Sequence, residues 1–173
     1  MRIDNDIKLD YSDVLIRPKR STLKSRKQVR LERTFKFRNS KAEYEGVPIM
    51  AANMDGVGTF KMADTLAEQN IFTCLVKTYS VDELVEFFDI DYFGKPFQTE
   101  RSKYTAMSIG TSDADFNKLV QVHATVADGR LKYVCMDIAN GYSDHFAQHV
   151  KKVREAFPNI VIIAGNVVTG EMT

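Results

Sequence analysis

Tryptophan is absent from this 173-residue sequence, cysteine occurs twice and proline four times. Two cysteines, Cys74 and Cys135, cannot build a disulfide framework and fit a reducing compartment. No apolar run approaches the roughly 20 residues that a membrane-crossing helix needs. The polar, acidic start Met1-Arg2-Ile3-Asp4-Asn5-Asp6 lacks the apolar segment of a secretory leader. Neither sign of charge dominates, since 24 Lys and Arg against 23 Asp and Glu leave a net charge of +1. A collagen, a disordered tail, a membrane span and a cystine scaffold are therefore excluded. What remains is a cytoplasmic chain whose 44% hydrophobic residues suffice for one buried core.

The charge is unevenly placed. Eleven Lys or Arg lie between Arg17 and Lys41 against one acid, Glu32, so the rest of the chain is net acidic. Such a stretch reads as a solvated basic loop and strand, or as a partner for a phosphate-bearing ligand. Nucleic acid is disfavoured, because aromatic side chains do not interleave the basic ones as stacking platforms.

From Val47 onward, apolar runs of strand length alternate with segments of helical period. Strands are expected at 47–52, 71–76, 104–109, 133–139 and 160–164. Helices are expected over about 59–69, after the capping box Ser80-Val81-Asp82-Glu83, after Ser112, and where Phe146, Val150, Val153 and Phe157 repeat at i, i+4, i+7 and i+11. A loop at 89–103 holds Tyr92, Phe93 and Phe97. Uninterrupted apolar strands joined by helices are the signature of a parallel sheet. Polar residues gather at each strand's carboxyl end: Asn53 and Asp55, Lys77 and Thr78, Thr111 and Ser112, Asp137 and Asn140, Asn166 and Thr169. In parallel α/β folds ligands bind at that end, so these residues predict one binding rim. Five strands could complete a flavodoxin-like sheet of order 2-1-3-4-5. Yet less than a turn of a fifth helix follows the fifth strand, and a complete (β/α)₈ barrel needs about 250 residues. The expectation is an α/β TIM barrel of which about five βα units are present.

Several familiar patterns fail. Gly56-Val57-Gly58 lacks the third glycine of a dinucleotide fingerprint, and Gly165 to Gly170 has P-loop spacing with Glu171 where lysine is required. His145 and His149 share a helix face, but Phe146 stands where a zincin has its glutamate, so both read as solvated histidines. Cys74 and Cys135 read as small core hydrophobes. Lys77 and Asp137, charged at the ends of buried strands, must be paired in a salt bridge or face a ligand.

Longer motifs carry a resemblance. They are Asp13-Val14-Leu15-Ile16-Arg17-Pro18-Lys19-Arg20-Ser21 running on through Arg26, Ala52-Asn53-Met54-Asp55, Lys77 with Tyr79-Ser80, Gly110-Thr111-Ser112-Asp113, Asp137-Ile138-Ala139-Asn140-Gly141-Tyr142-Ser143, and Ala164-Gly165-Asn166-Val167-Val168-Thr169-Gly170-Glu171-Met172. Together these resemble the N-terminal half of the GMP reductase branch of the IMP dehydrogenase/GMP reductase family. The resemblance implies a cytosolic homotetramer that converts GMP to IMP and ammonia at the expense of NADPH, and a potassium ion in the intact enzyme. It implies NADPH contacts from Lys77, Asp137, Ile138 and Ala139, with Ser25 and Arg26 reaching the cofactor of a neighbouring subunit. Met54 and Asn166 would lie near the substrate. The nucleophilic cysteine loop of the family follows the sixth barrel strand, beyond this chain, so no catalytic residue is expected within it. Thr78 stands where the family usually has histidine and Gly56 where it usually has threonine. The organisation implied is a basic segment and barrel cap at 1–46 and the first five βα units at 47–173. IMP dehydrogenase and a non-catalytic nucleotide-binding fragment are the alternative readings.

Overall fold

Each apolar run becomes a strand because it can bury both of its faces, and each amphipathic segment becomes a helix because it can bury only one. The computed structural model describes residues 7, 9–89, 101–127 and 129–170. The aromatic residues Tyr92, Phe93 and Phe97 of the expected 89–103 loop lie outside the described residues. The chain forms two compact units, one up to Arg30 and one from Leu31 onward.

In the larger unit the element order is β1 (Arg33–Lys36), β2 (Glu43–Ala51), α1 (Phe60–Ala67), β3 (Ile71–Cys74), α2 (Val81–Phe88), β4 (Thr105–Ile109), α3 (Asp113–Thr125), β5 (Tyr133–Asp137), α4 (Asp144–Ala156) and β6 (Val161–Gly165). The six strands lie in sequence order in one sheet. β1 and β2 form an antiparallel pair with Lys36 opposite Glu43, and every later pairing is parallel.

That order decides between the two topologies left open by the sequence. A doubly wound sheet reverses direction and places helices on both faces. Here all four helices pack on one face. Ala63, Leu84, Phe87, Leu119, Val122, Phe146 and Val153 meet Leu75, Met107, Ile109, Val134 and Met136 in one core. The opposite face forms a second cluster from strand residues alone: Tyr44, Phe72, Cys74, Ala106, Tyr133, Cys135 and Val161. Alternation along each strand, Cys74 inward and Leu75 outward, Cys135 inward and Met136 outward, follows from the two-residue pleat. This is the winding of a TIM barrel, with five parallel strands and four helices present among the described residues.

Two features differ from the expected elements. β2 begins at Glu43 rather than Val47, because pairing with β1 extends it at its amino end. Its register with β3 slips between Val47 and Met50, where Pro48 has no N–H to donate to the ladder.

Hydroxyl caps start all four helices. Thr59, Ser80, Ser112 and Ser143 accept from the amides of Met62, Glu83, Asp115 and Phe146. Ser80 and Ser112 complete reciprocal boxes with Glu83 and Asp115. At the far end of α4 the Arg154 guanidinium donates to the carbonyls of Phe157, Pro158 and Ile160, at 3.3, 2.8 and 2.7 Å, and fixes the turn into β6.

The smaller unit has two short 3₁₀ turns, Tyr11–Asp13 and Arg26–Gln28, capped by Asp10 and Ser25. All its described residues are exposed, including Leu15 and Ile16.

Candidate functional site

Asp137 ends β5 with its carboxylate on the inner face of the sheet, level with Gly165 of β6. Two carboxamides hold it. Asn53, in the loop after β2, donates Nδ2–H to Oδ2 at 3.0 Å, and Asn166, just after β6, donates Nδ2–H to Oδ1 at 3.1 Å. Asn166 Nδ2 also reaches the Ile138 carbonyl at 3.0 Å. The two donors come from residues 84 and 29 positions away in the chain, so only the closing curve of the sheet brings them together. An ionised carboxylate accepting one bond per oxygen keeps further lone pairs for a ligand's hydroxyl or amide hydrogens.

Two glycines let the surrounding loops approach this closely. A Cβ on Gly141 would lie 2.5 Å from the Asn166 carbonyl oxygen, which accepts from the Gly141 amide at 2.9 Å. A Cβ on Gly58 would lie 2.4 Å from the Cys74 carbonyl oxygen, so the loop after β2 can cross the end of β3 only with glycine there. The Tyr142 hydroxyl then ties the loop after β5 to the segment after β6, donating to Thr169 Oγ1 at 3.0 Å and accepting from the Val168 amide at 2.8 Å.

Lys77 follows β3 on the same rim. Its carbonyl accepts from Lys118 Nζ at 2.8 Å, and its ammonium is exposed. Behind it, burial pushes the Asp115 carboxyl up. Bonds from the Ser112 hydroxyl and from the Gly110 and Ser112 amides, with the Lys77 charge, outweigh that burial and hold it below the usual carboxylate value.

The other residues singled out in the sequence are placed as follows. Ile138 spends its backbone on the sheet, its N–H donating to the Gly165 carbonyl and its carbonyl accepting from the Asn166 amide. Its side chain packs on the helix-side core, and Ala139 is exposed. Met54 is exposed, its carbonyl accepting from the amides of Val57 and Gly58. Ser25 and Arg26 belong to the smaller unit, where the Ser25 hydroxyl accepts from the Lys27 amide at 3.3 Å. The structure thus brings Asn53, Asp137, Ile138 and Asn166 into one hydrogen-bonded group and sets Lys77 on the same edge of the sheet.

Sequence reasoning set Asn53 on the binding rim but gave it no partner, and the structure gives it Asp137. Its signal was its position directly after an apolar strand. The histidines also need a correction: His149 is only 6% exposed and lies on the core stripe, against Phe116. Burial, with the charges of Lys152 and His145, holds its imidazole below the usual histidine value. The cysteines are buried, as expected. Cys74 has its thiol pushed well up by its bond to Cys135, by burial and by the Asp137 charge, which removes it from nucleophilic chemistry.

The chain as a whole has known relatives. A family model described as IMP dehydrogenase / GMP reductase domain matches residues 8–173. The GMP reductase of Salmonella paratyphi B is 54% identical over 172 residues, covering 99% of this chain and 47% of that protein. GMP reductase 2 of Homo sapiens is 52% identical over 170 residues, covering 98% and 46%. This chain therefore spans about half the length of the curated relatives it matches. Among solved structures, the crystal structure of inosine 5′-monophosphate dehydrogenase from Legionella pneumophila superposes with a TM-score of 0.69 at 22% identity, over 91% of this chain and 44% of that one. That likeness is one of fold, and it agrees with the sequential strand order. Matched along nearly its whole length by the family model, and built as the opening strands of the family's barrel, the chain belongs to the IMP dehydrogenase/GMP reductase family.

Proposed function

We propose that this chain supplies the cofactor-binding strands of a GMP reductase, an enzyme that reductively deaminates GMP to IMP and ammonia with NADPH. The observation that carries this reading is the 54% identity to a GMP reductase across 99% of the chain. IMP dehydrogenase enters only through the shared family model and a likeness of fold.

The rim suits a dinucleotide. Asp137, fixed by two amides and still able to accept, fits the hydroxyls of a ribose or the N–H groups of a carboxamide. The exposed ammonium of Lys77 fits a second polar group of the same ligand. NADPH, when bound, would supply the hydride. The chain's own part is to hold and orient it: Asp137 by hydrogen bonds, Lys77 by charge, Ile138 and Ala139 by the shape of the strand end. Ser25 and the guanidinium of Arg26 belong in this reading to the site of a neighbouring subunit in a homotetramer, where Arg26 fits a cofactor phosphate by paired, charge-assisted bonds. Asn166 and Met54 face the nucleotide substrate, GMP or IMP. The potassium ion implied by the resemblance is assigned no residue of this chain. The organisation proposed is a basic segment and cap at 1–46 and barrel units at 47–173, in a cytoplasmic enzyme.

The test is a fluorescence titration of the chain with NADPH, paired with an assay of GMP-dependent NADPH oxidation. NADPH binding without turnover is expected, because the nucleophilic cysteine loop lies outside these residues. Asp137→Ala should weaken NADPH binding by tenfold or more while the urea midpoint moves little. Unchanged NADPH affinity with a large loss of stability would make Asp137 purely structural, and preference for NAD with IMP would favour the dehydrogenase.

A further inference from the structure

Asp137 is held from two sides, and the two holds are unlike. Asn166 follows β6, the strand paired with β5, so its amide approaches from the next strand over. That amide is exposed and divided between the Asp137 carboxylate and the Ile138 carbonyl. Asn53 follows β2, three strands away from β5 in the sheet. Three strand spacings of about 4.8 Å amount to roughly 14 Å along the sheet. The 3.0 Å bond from Asn53 Nδ2 to Asp137 Oδ2 therefore crosses the concave mouth of the sheet instead of following its strands. Asn53 and Asp137 are both half-buried, where a hydrogen bond to a charged oxygen meets less competition from water.

The backbone, in turn, holds Asn53. Directly after it, the Met54 carbonyl accepts from the amides of Val57 and Gly58 at 3.0 and 2.9 Å and closes a turn. Gly56 takes a φ of +75° within that turn, a conformation that glycine adopts without steric cost. The Gly58 carbonyl then accepts from the Val76 amide at 2.8 Å, and Val76 is the residue before Lys77. The loop is thus bonded at one end to Asp137, through the Asn53 side chain, and at the other to the backbone beside Lys77. These backbone bonds do not involve the Asn53 side chain, so shortening it leaves the loop in place.

We propose that Asn53 is a positioning residue, which fixes the Asp137 carboxylate in orientation and in distance from Lys77 so that one dinucleotide meets both. This rests on the nucleotide reading above. A carboxylate bonded at one oxygen can still turn about its Cβ–Cγ bond, whereas one bonded at both oxygens from different segments cannot. The freedom is given up before the ligand arrives, which lowers the ordering cost of binding. Asn53 acts through Asp137 and touches no ligand itself.

The test is a fluorescence titration with NADPH of the 173-residue chain as wild type, Asn53→Ala, Asp137→Ala and the double variant. Asn53→Ala should weaken binding about fivefold. On the Asp137→Ala background the same substitution should cost less than about twofold, because no carboxylate remains for the amide to hold. Asn53→Asp keeps the size but replaces the donor with a like charge, so it should bind NADPH more weakly than Asn53→Ala. An equal loss on both backgrounds would overturn the proposal, as would Asn53→Asp binding as well as Asn53→Ala or better. Should the double variant bind too weakly to measure, the comparison of Asn53→Asp with Asn53→Ala decides. The bond also has a readout without ligand: in NMR spectra one Nδ2 proton of Asn53 should lie downfield and move back in Asp137→Ala. Absence of that shift overturns this inference and leaves the nucleotide reading standing, whereas a wild-type chain that does not bind NADPH overturns both.

Discussion

Glycine at 141 does two things at once: it donates to the Asn166 carbonyl, and it leaves room for that oxygen where a side chain would stand. Gly141→Ala must therefore move backbone, not a flexible side-chain tip. We expect a loss of about 1–3 kcal/mol, read as a lower urea midpoint with unchanged slope; an unchanged midpoint would show that the loop gives freely. His149 makes a second residue-scale prediction. Its folded value lies below the ordinary 6.5 or so, and Lys152, His145, Asp113 and Asp115 are the charged groups acting on it. As pH falls from about 7 towards 5, the unfolded chain takes up a proton that the folded chain refuses. The His149 contribution is thus fully present above the unfolded value and declines below it. Urea midpoints at the two pH values should differ more for the wild type than for His149→Gln. His149 was legible too: position 149 lies three residues after Phe146 and four before Val153, on the buried stripe itself. Its polarity drew attention away from its phase.

At the scale of elements, strand and helix order followed from apolar runs and hydroxyl caps. The capping boxes at Ser80 and Ser112 are local chemistry, with every partner within three residues, so sequence suffices to find them. β1 and the start of β2 were hidden for the opposite reason. Arg33–Lys36 is charged at both ends and exposed throughout, and its pairing depends on a neighbour rather than on its own composition. The Asn53–Asp137–Asn166 group was half legible: polar residues at strand ends announced a rim, whereas the particular bonds depend on how the sheet curves. Ser112→Ala removes the acceptor for the Asp115 amide and the donor to its carboxylate. A loss of about 1 kcal/mol is expected, which in a chain of this size lowers Tm by about 2–4 °C in calorimetry. An unaltered Tm would mean that water caps α3 equally well.

For the molecule as a whole, protection should rise from the sheet's first edge inward. β4 is buried at all five residues and β5 at four of five, whereas β1 is exposed at every position. Hydrogen exchange followed by mass spectrometry should find the amides of Thr105–Ile109 and Tyr133–Asp137 slowest and those of Arg33–Lys36 fastest. Equal rates across the sheet would contradict a core centred between the helices and β4–β5. The sequential order of the strands reaches beyond the folded state. Each parallel strand rests against the one synthesised just before it, so every new pairing closes a modest loop onto a partner already made. A ribosome releasing this chain can therefore add one unit at a time to a growing wall.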